Sequence, residues 1–169
     1  TPEEADQAIF KYPLHLQKKV LELLVRNDQA GATDVVREIT QFFLQTEGAT
    51  LKHARSFFLS VVSDIVKSLL SQHVFHEGMV DKGFEFCLKI DTYDDLQKMA
   101  DWLERFLQEV IQVQESANQR DVYRNILLAA EYIREHYNED ISLNSISTRY
   151  FITSSYFSSM FKEVTGENF

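Results

Sequence analysis

After Pro13 the chain runs to Phe169 without another proline, and all 169 residues hold only five glycines. Proline and glycine are the residues that most reliably end or kink a helix, so a chain this poor in them can carry long ones. Its apolar residues recur mostly at three- and four-residue steps, which places them on one face of a helix rather than on alternate faces of a strand. The chain is therefore expected to be all-α: an N-terminal helical bundle, then a long helix leading into a small helical tail.

Tyr12-Pro13 opens the first helix, because proline's fixed φ and missing N–H suit a first turn. Leu16, Val20, Leu23 and Leu24 form its face, and residues 27–31 end it. Thr33 and Asp34 are expected to cap a second helix bearing Val35, Val36, Ile39, Phe42 and Phe43 and stopping near Gly48. Thr50 begins a third, striped by Leu51, Ala54, Phe58, Val61, Val62, Ile65, Leu69 and Leu70. Three helices joined by short turns make a bundle.

Residues 76–91 fit two patterns. Phe84, Phe86, Leu88 and Ile90 alternate as in a strand, and Gly78 and Gly83 bracket a short turn; a short helix is the preferred reading. Thr92 with Asp95 resembles a capping box at the head of the longest amphipathic helix, marked by Leu96, Met99, Leu103, Phe106, Val110 and Val113. The charges on its outer face, Lys98, Asp101, Glu104, Arg105 and Glu109, suit either a solvated surface or a helix paired across a dimer.

The pattern changes at Val122, which divides the chain into 1–121 and 122–169. A helix with Ile126, Leu127, Ala130 and Ile133 ends near residues 136–140. Ser142 can cap a short second helix whose buried face is Leu143, Ile146 and Tyr150. Residues 151–153 make a tight connection to a third helix with Tyr156, Phe157, Met160, Phe161 and Val164, which Gly166 ends. Two short helices joined this closely, with a third to cover them, have the spacing of a helix-turn-helix.

Charge argues against a free-standing nucleic-acid binder. The net charge is -9, with 13 basic and 20 acidic residues before Val122 and 4 and 6 after it, so neither part is basic. Cys87, alone, cannot make an internal disulfide; a buried thiol in a reducing cytosol is its simplest reading. The most apolar run, residues 57–70, is interrupted by Asp64 and Lys67 and is too short to span a bilayer, so no membrane contact is expected. A start at Thr1 with no signal segment, and the abrupt stop at Phe169, suggest a piece of a longer cytoplasmic chain.

No nucleophile elbow, phosphate-cradling loop or dinucleotide fingerprint occurs, and the acids are spread along helix faces. An enzyme is not expected, nor a cofactor. His73 and His76 lie one helical turn apart beside Glu77 and would need a further ligand such as His53 to hold a metal; solvated surface is the simpler reading, and no metal site is assigned. Phe42, Phe43, Phe57, Phe58, Phe84 and Phe86 could line a ligand pocket, although core packing is the commoner use of such residues.

The residue identities of the tail say more than its spacing. Tyr132-Ile133, His136-Tyr137, Ile141-Ser142-Leu143, Ile146, Ser154, Tyr156-Phe157-Ser158, Phe161-Lys162, Thr165-Gly166 and Phe169 closely resemble the amino-terminal half of the AraC-type DNA-binding domain, most specifically over residues 155–169. That family joins two helix-turn-helix units by a long helix and sets both recognition helices in the major groove. The resemblance implies one such unit here and a second that this chain lacks. It makes residues 154–164 the recognition helix and puts Ser155, Ser158 and Ser159 at base-facing positions. Serine lacks the bidentate geometry of arginine or glutamine, so readout through them should be permissive. Lys162 is assigned to a phosphate, and Tyr156 and Arg149 complete the candidate DNA-binding residues. Where the family usually has alanine this chain has Ser147, which is also small. With only Arg124, Arg134, Arg149 and Lys162 as cations, the half-domain alone should bind DNA poorly.

The front part, through Tyr12-Pro13, its leucine-rich helix and the turn at residues 27–31, resembles the helical region that precedes the DNA-binding domain in YesN-like response regulators and YesS-like membrane-linked regulators. This implies a bacterial transcription regulator, its expected partners being DNA, a second copy of the chain and an upstream receiver or sensor domain. The alternatives are an effector-binding domain for a small metabolite and a protein-interaction module without DNA binding.

Overall fold

Seven α helices and one 3-10 turn account for most of residues 9–72 and 77–169, which the computed structural model describes, and no strand occurs among them. They are α1 (Leu14–Val25), α2 (Gln29–Gln45), α3 (Leu51–Ser71), α4 (Glu77–Leu88), the 3-10 turn Ile90–Thr92, α5 (Leu96–Glu135), α6 (Leu143–Arg149) and α7 (Ser154–Thr165). The chain is all-α. It divides into two compact units, Thr1–Gln114 and Glu115–Phe169, and the division falls inside α5.

In the first unit Pro13 directly precedes α1, whose buried side is Leu16, Val20, Leu23 and Leu24, as the spacing predicts. The start of α2 differs from expectation. Asp28 caps it by accepting the Gly31 N–H at 2.9 Å, and Thr33 and Asp34 lie inside the helix. A carboxylate three residues ahead of an unpaired N–H suffices to start a helix, and a single glycine in the first turn does not stop it. Thr33 instead donates its hydroxyl to Glu104 of α5 at 2.7 Å.

Thr50 does begin α3. Its hydroxyl accepts the His53 N–H, and His53 Nδ1 accepts the Thr50 N–H, each at 3.2 Å. The buried face is wider than the stripe, because Phe57 and Val66 are buried as well, while Leu70 at the far end is exposed. This breadth lets α3 pack against both α1 and α4.

Residues 77–88 form a helix, which turns Phe86 inward and leaves Phe84 and Leu88 exposed despite their strand-like alternation. Gly83 is not at a turn. It is buried in mid-helix, where a Cβ would collide with the Val66 side chain of α3 and crowd Phe106 of α5, so the residue is there for close approach. At the head of α5 the carboxylate of Asp95 accepts the Gln97 N–H at 2.7 Å, whereas the Thr92 hydroxyl turns back to the Lys89 carbonyl, so the two form no box. Met99, Ala100, Leu103, Phe106, Leu107, Val110 and Ile111 of α5 close the core, with Val113 only half-buried. No described helix is long and apolar enough to cross a membrane.

Candidate nucleic-acid interface

The second unit is built on a small core. Ile126, Ala129 and Ala130 of α5, Ile146 of α6, and Phe157 and Phe161 of α7 are buried together, flanked by Tyr132, Ile133, Leu143, Tyr150, Met160 and Val164. Leu127, expected on the inner face of α5, is exposed instead: its neighbours Ile126 and Ala130 already fill the side facing α6 and α7.

Ser142 caps α6 with a reciprocal pair of bonds. Its hydroxyl accepts the Ser145 N–H at 3.0 Å, and Ser145 Oγ accepts the Ser142 N–H at 3.1 Å. A seven-residue helix is marginal by itself, so cap and core together hold it. Ser147 is 2% exposed, and its hydroxyl donates to the Leu143 carbonyl at 2.7 Å, which satisfies the one buried polar side chain of this helix.

Four residues, 150–153, separate α6 from α7. Phe151 adopts φ +58°, the left-handed conformation, with its ring 95% exposed, and this reverses the chain within the connection. Ile152 N–H returns to the Ser147 carbonyl at 3.0 Å. At the other end of α7, Gly166 takes φ +76° and bonds back to Lys162, as a left-handed C-cap does. Phe169 then folds back, its ring edge-on to Phe157 and Phe161 at 5.8 and 5.9 Å.

With Phe157 and Phe161 turned inward, α7 presents Ser155, Tyr156, Ser159, Lys162 and Glu163 on its exposed side. Ser158 is half-buried and less open than the other two serines. Tyr156, grouped with the apolar residues of this helix on spacing alone, is 46% exposed and stands beside Ser155 rather than in the core. Thr153 at the N-cap makes no side-chain bond to the first turn, which leaves those N–H groups open to solvent or an anion. Arg149 ends α6. Its guanidinium lies 4.4 Å over the ring of Tyr132, itself stacked on His136, so it pins α6 to the end of α5 while remaining exposed.

Other sequence candidates fall elsewhere. His73 and His76 lie outside the described residues, and His53 is occupied by the α3 cap and by stacking on Phe10 at 4.0 Å. Among the described residues no three metal-ligating side chains converge. Phe43, Phe57, Phe58 and Phe86 are buried in the first core; Phe42 packs against it and Phe84 is exposed. On the outer face of α5, Glu104 is bound by Thr33 and Glu109 pairs with Lys82 of α4, so part of that charged face is used within the unit. Cys87 is half-buried, its sulfur 3.9 Å from Ser63 Oγ.

No family model, curated protein or solved structure matches the chain.

Proposed function

We propose that the chain belongs to a DNA-binding transcription regulator of the AraC type, with α6 and α7 as a helix-turn-helix and α7 as the helix that enters the major groove. The observation that carries the reading is the division of α7: Phe157 and Phe161 fill the core while Ser155, Tyr156, Ser159 and Lys162 share the exposed side, in the very run of residues that resembles that family. Ser155 and Ser159 meet base edges, with Ser158 at their margin. Lys162 and the open N–H groups at the start of α7 take phosphates. Arg149 serves first to lock α6 in place and only then as a cation near the backbone.

The first unit, in this reading, dimerises or passes on an upstream signal, and α5 is the stretch of chain that the two units share. The test is a titration of labelled duplexes with Lys162→Ala and Phe151→Gly variants of the chain joined to a second DNA-binding unit of the same type. Loss of Lys162 should weaken binding to all sequences alike and lower the slope of log affinity against log salt by about one. Phe151→Gly, which changes the turn without touching α7's outer face, should leave that slope alone. An unchanged slope in Lys162→Ala would remove α7 from the interface.

A further inference from the structure

A cleft of about 380 Å³ opens on the first unit, lined by Lys82, Glu85 and Phe86 of α4, Lys89 and Tyr93 beyond it, and Trp102, Arg105, Phe106 and Glu109 of α5. The lining comes from two facing stripes at helical spacing. Its wall is aromatic: Phe86 stacks on Trp102 with ring centroids 4.0 Å apart and 19° between planes, and Trp102 stacks on Phe106 at 4.7 Å and 25°. Phe86 and Phe106 are buried, so the half-buried Trp102 and Tyr93 are the rings that meet the cleft.

The rim carries three cations and two anions in a chain whose net charge is -9. Lys82 pairs with Glu109, and Lys89 with Glu85 at 2.6 Å. Arg105 has no ion-pair partner among the described residues, although it lines the same cleft. Exposed lysine pairs of this kind hold little energy and can turn to another anion, whereas a guanidinium already free offers a ready two-pronged donor. An aromatic wall and an unpaired guanidinium on one cleft suit a planar ring bearing a carboxylate. The volume lies within the range of small-molecule sites.

We propose that this cleft binds a small aromatic carboxylate, with the ring against Trp102 and the carboxylate on Arg105. The inference stands apart from the DNA-binding reading, which rests on the second unit, and either can fail alone.

Trp102 is the chain's single tryptophan, so its emission reports on the cleft directly. The experiment titrates the whole chain with benzoate and cinnamate by calorimetry, following Trp102 fluorescence with benzoate, and sets benzamide, acetate and inorganic phosphate beside them. Saturable binding of at least one aromatic carboxylate is expected, with acetate, phosphate and benzamide at least about tenfold weaker. Arg105→Gln should weaken the carboxylate about tenfold, the loss of one charge-assisted contact, with Arg105→Lys between the two and the melting temperature of the free variants unchanged. No saturable binding through the millimolar range, equal binding of benzamide, or an Arg105→Gln variant that binds like the parent would each overturn the proposal.

Discussion

Gly83 and Gly78 stand in the same helix and answer to different forces. A Cβ at Gly83 meets the stiff, branched side chain of Val66, whereas one at Gly78 meets nothing within 4 Å among the described residues. Gly78→Ala should therefore gain a few tenths to about 1 kcal/mol, the usual return for replacing a helical glycine. Gly83→Ala should lose about 1–3 kcal/mol to overpacking, and thermal unfolding of the two variants separates them by sign. Phe151 is the converse case, a bulky residue in a glycine conformation with its ring in solvent. Phe151→Gly should raise the stability of the second unit by up to about 1 kcal/mol, read by chemical denaturation; a loss would mean that the ring is held by something other than the connection. Lys98 hydrogen-bonds Asp94 and, with its charge, holds that carboxyl below the usual aspartate range. A lowered folded-state value gives stability that is present above the ordinary aspartate value and is lost as pH falls through the lowered one. Lys98→Ala should return the Asp94 titration toward its ordinary range by NMR, with almost no change in stability near neutral pH because the pair is exposed. None of the three glycine-type effects was legible beforehand: spacing shows where apolar residues recur, but not which glycine another helix will press against.

Helices were legible where a stripe and a cap agreed. Thr50 and Ser142 each sit just ahead of an apolar run, and both make the bonds that their position predicts. Removing one such cap has a defined cost. Ser142→Ala should destabilise the second unit by about 1 kcal/mol and speed amide exchange throughout α6, because a helix of seven residues has few other bonds to hold its first turn. Exchange unchanged in α6 would show that its core contacts suffice without the cap. The starts of α2 and α5 were read less well for one reason: several oxygen-bearing side chains stood near each start, and the tertiary partner of Thr33, the Glu104 carboxylate, is far away in sequence. The same limit hid the cleft. Arg105 and Glu109 read as one face of α5, and only the approach of α4 pairs Glu109 with Lys82 and sets Arg105 on the same cleft as Trp102. In α7, by contrast, the candidate surface was legible almost residue by residue, since Phe157, Met160, Phe161 and Val164 leave one side for the serines and Lys162.

The molecule divides within α5, whose residues contribute to both cores, and the shift in pattern at Val122 lies further along that same helix. Residues 114–121 are polar apart from Ala117 and contain neither proline nor glycine, so the helix runs through the change from one core to the next. The charge of the whole chain opposes DNA, and the second unit offers only five cations, so the account requires that tight binding come from two DNA-binding units acting together. The most direct measurement is fluorescence anisotropy of a labelled duplex, at two salt concentrations, with residues 1–169 joined to a second DNA-binding unit of the proposed type and with residues 1–169 alone. The account predicts binding with a steep salt dependence for the former and little for the latter. If neither binds even at low salt, the tail shares only a shape with DNA-binding domains, and the chain is an interaction module instead.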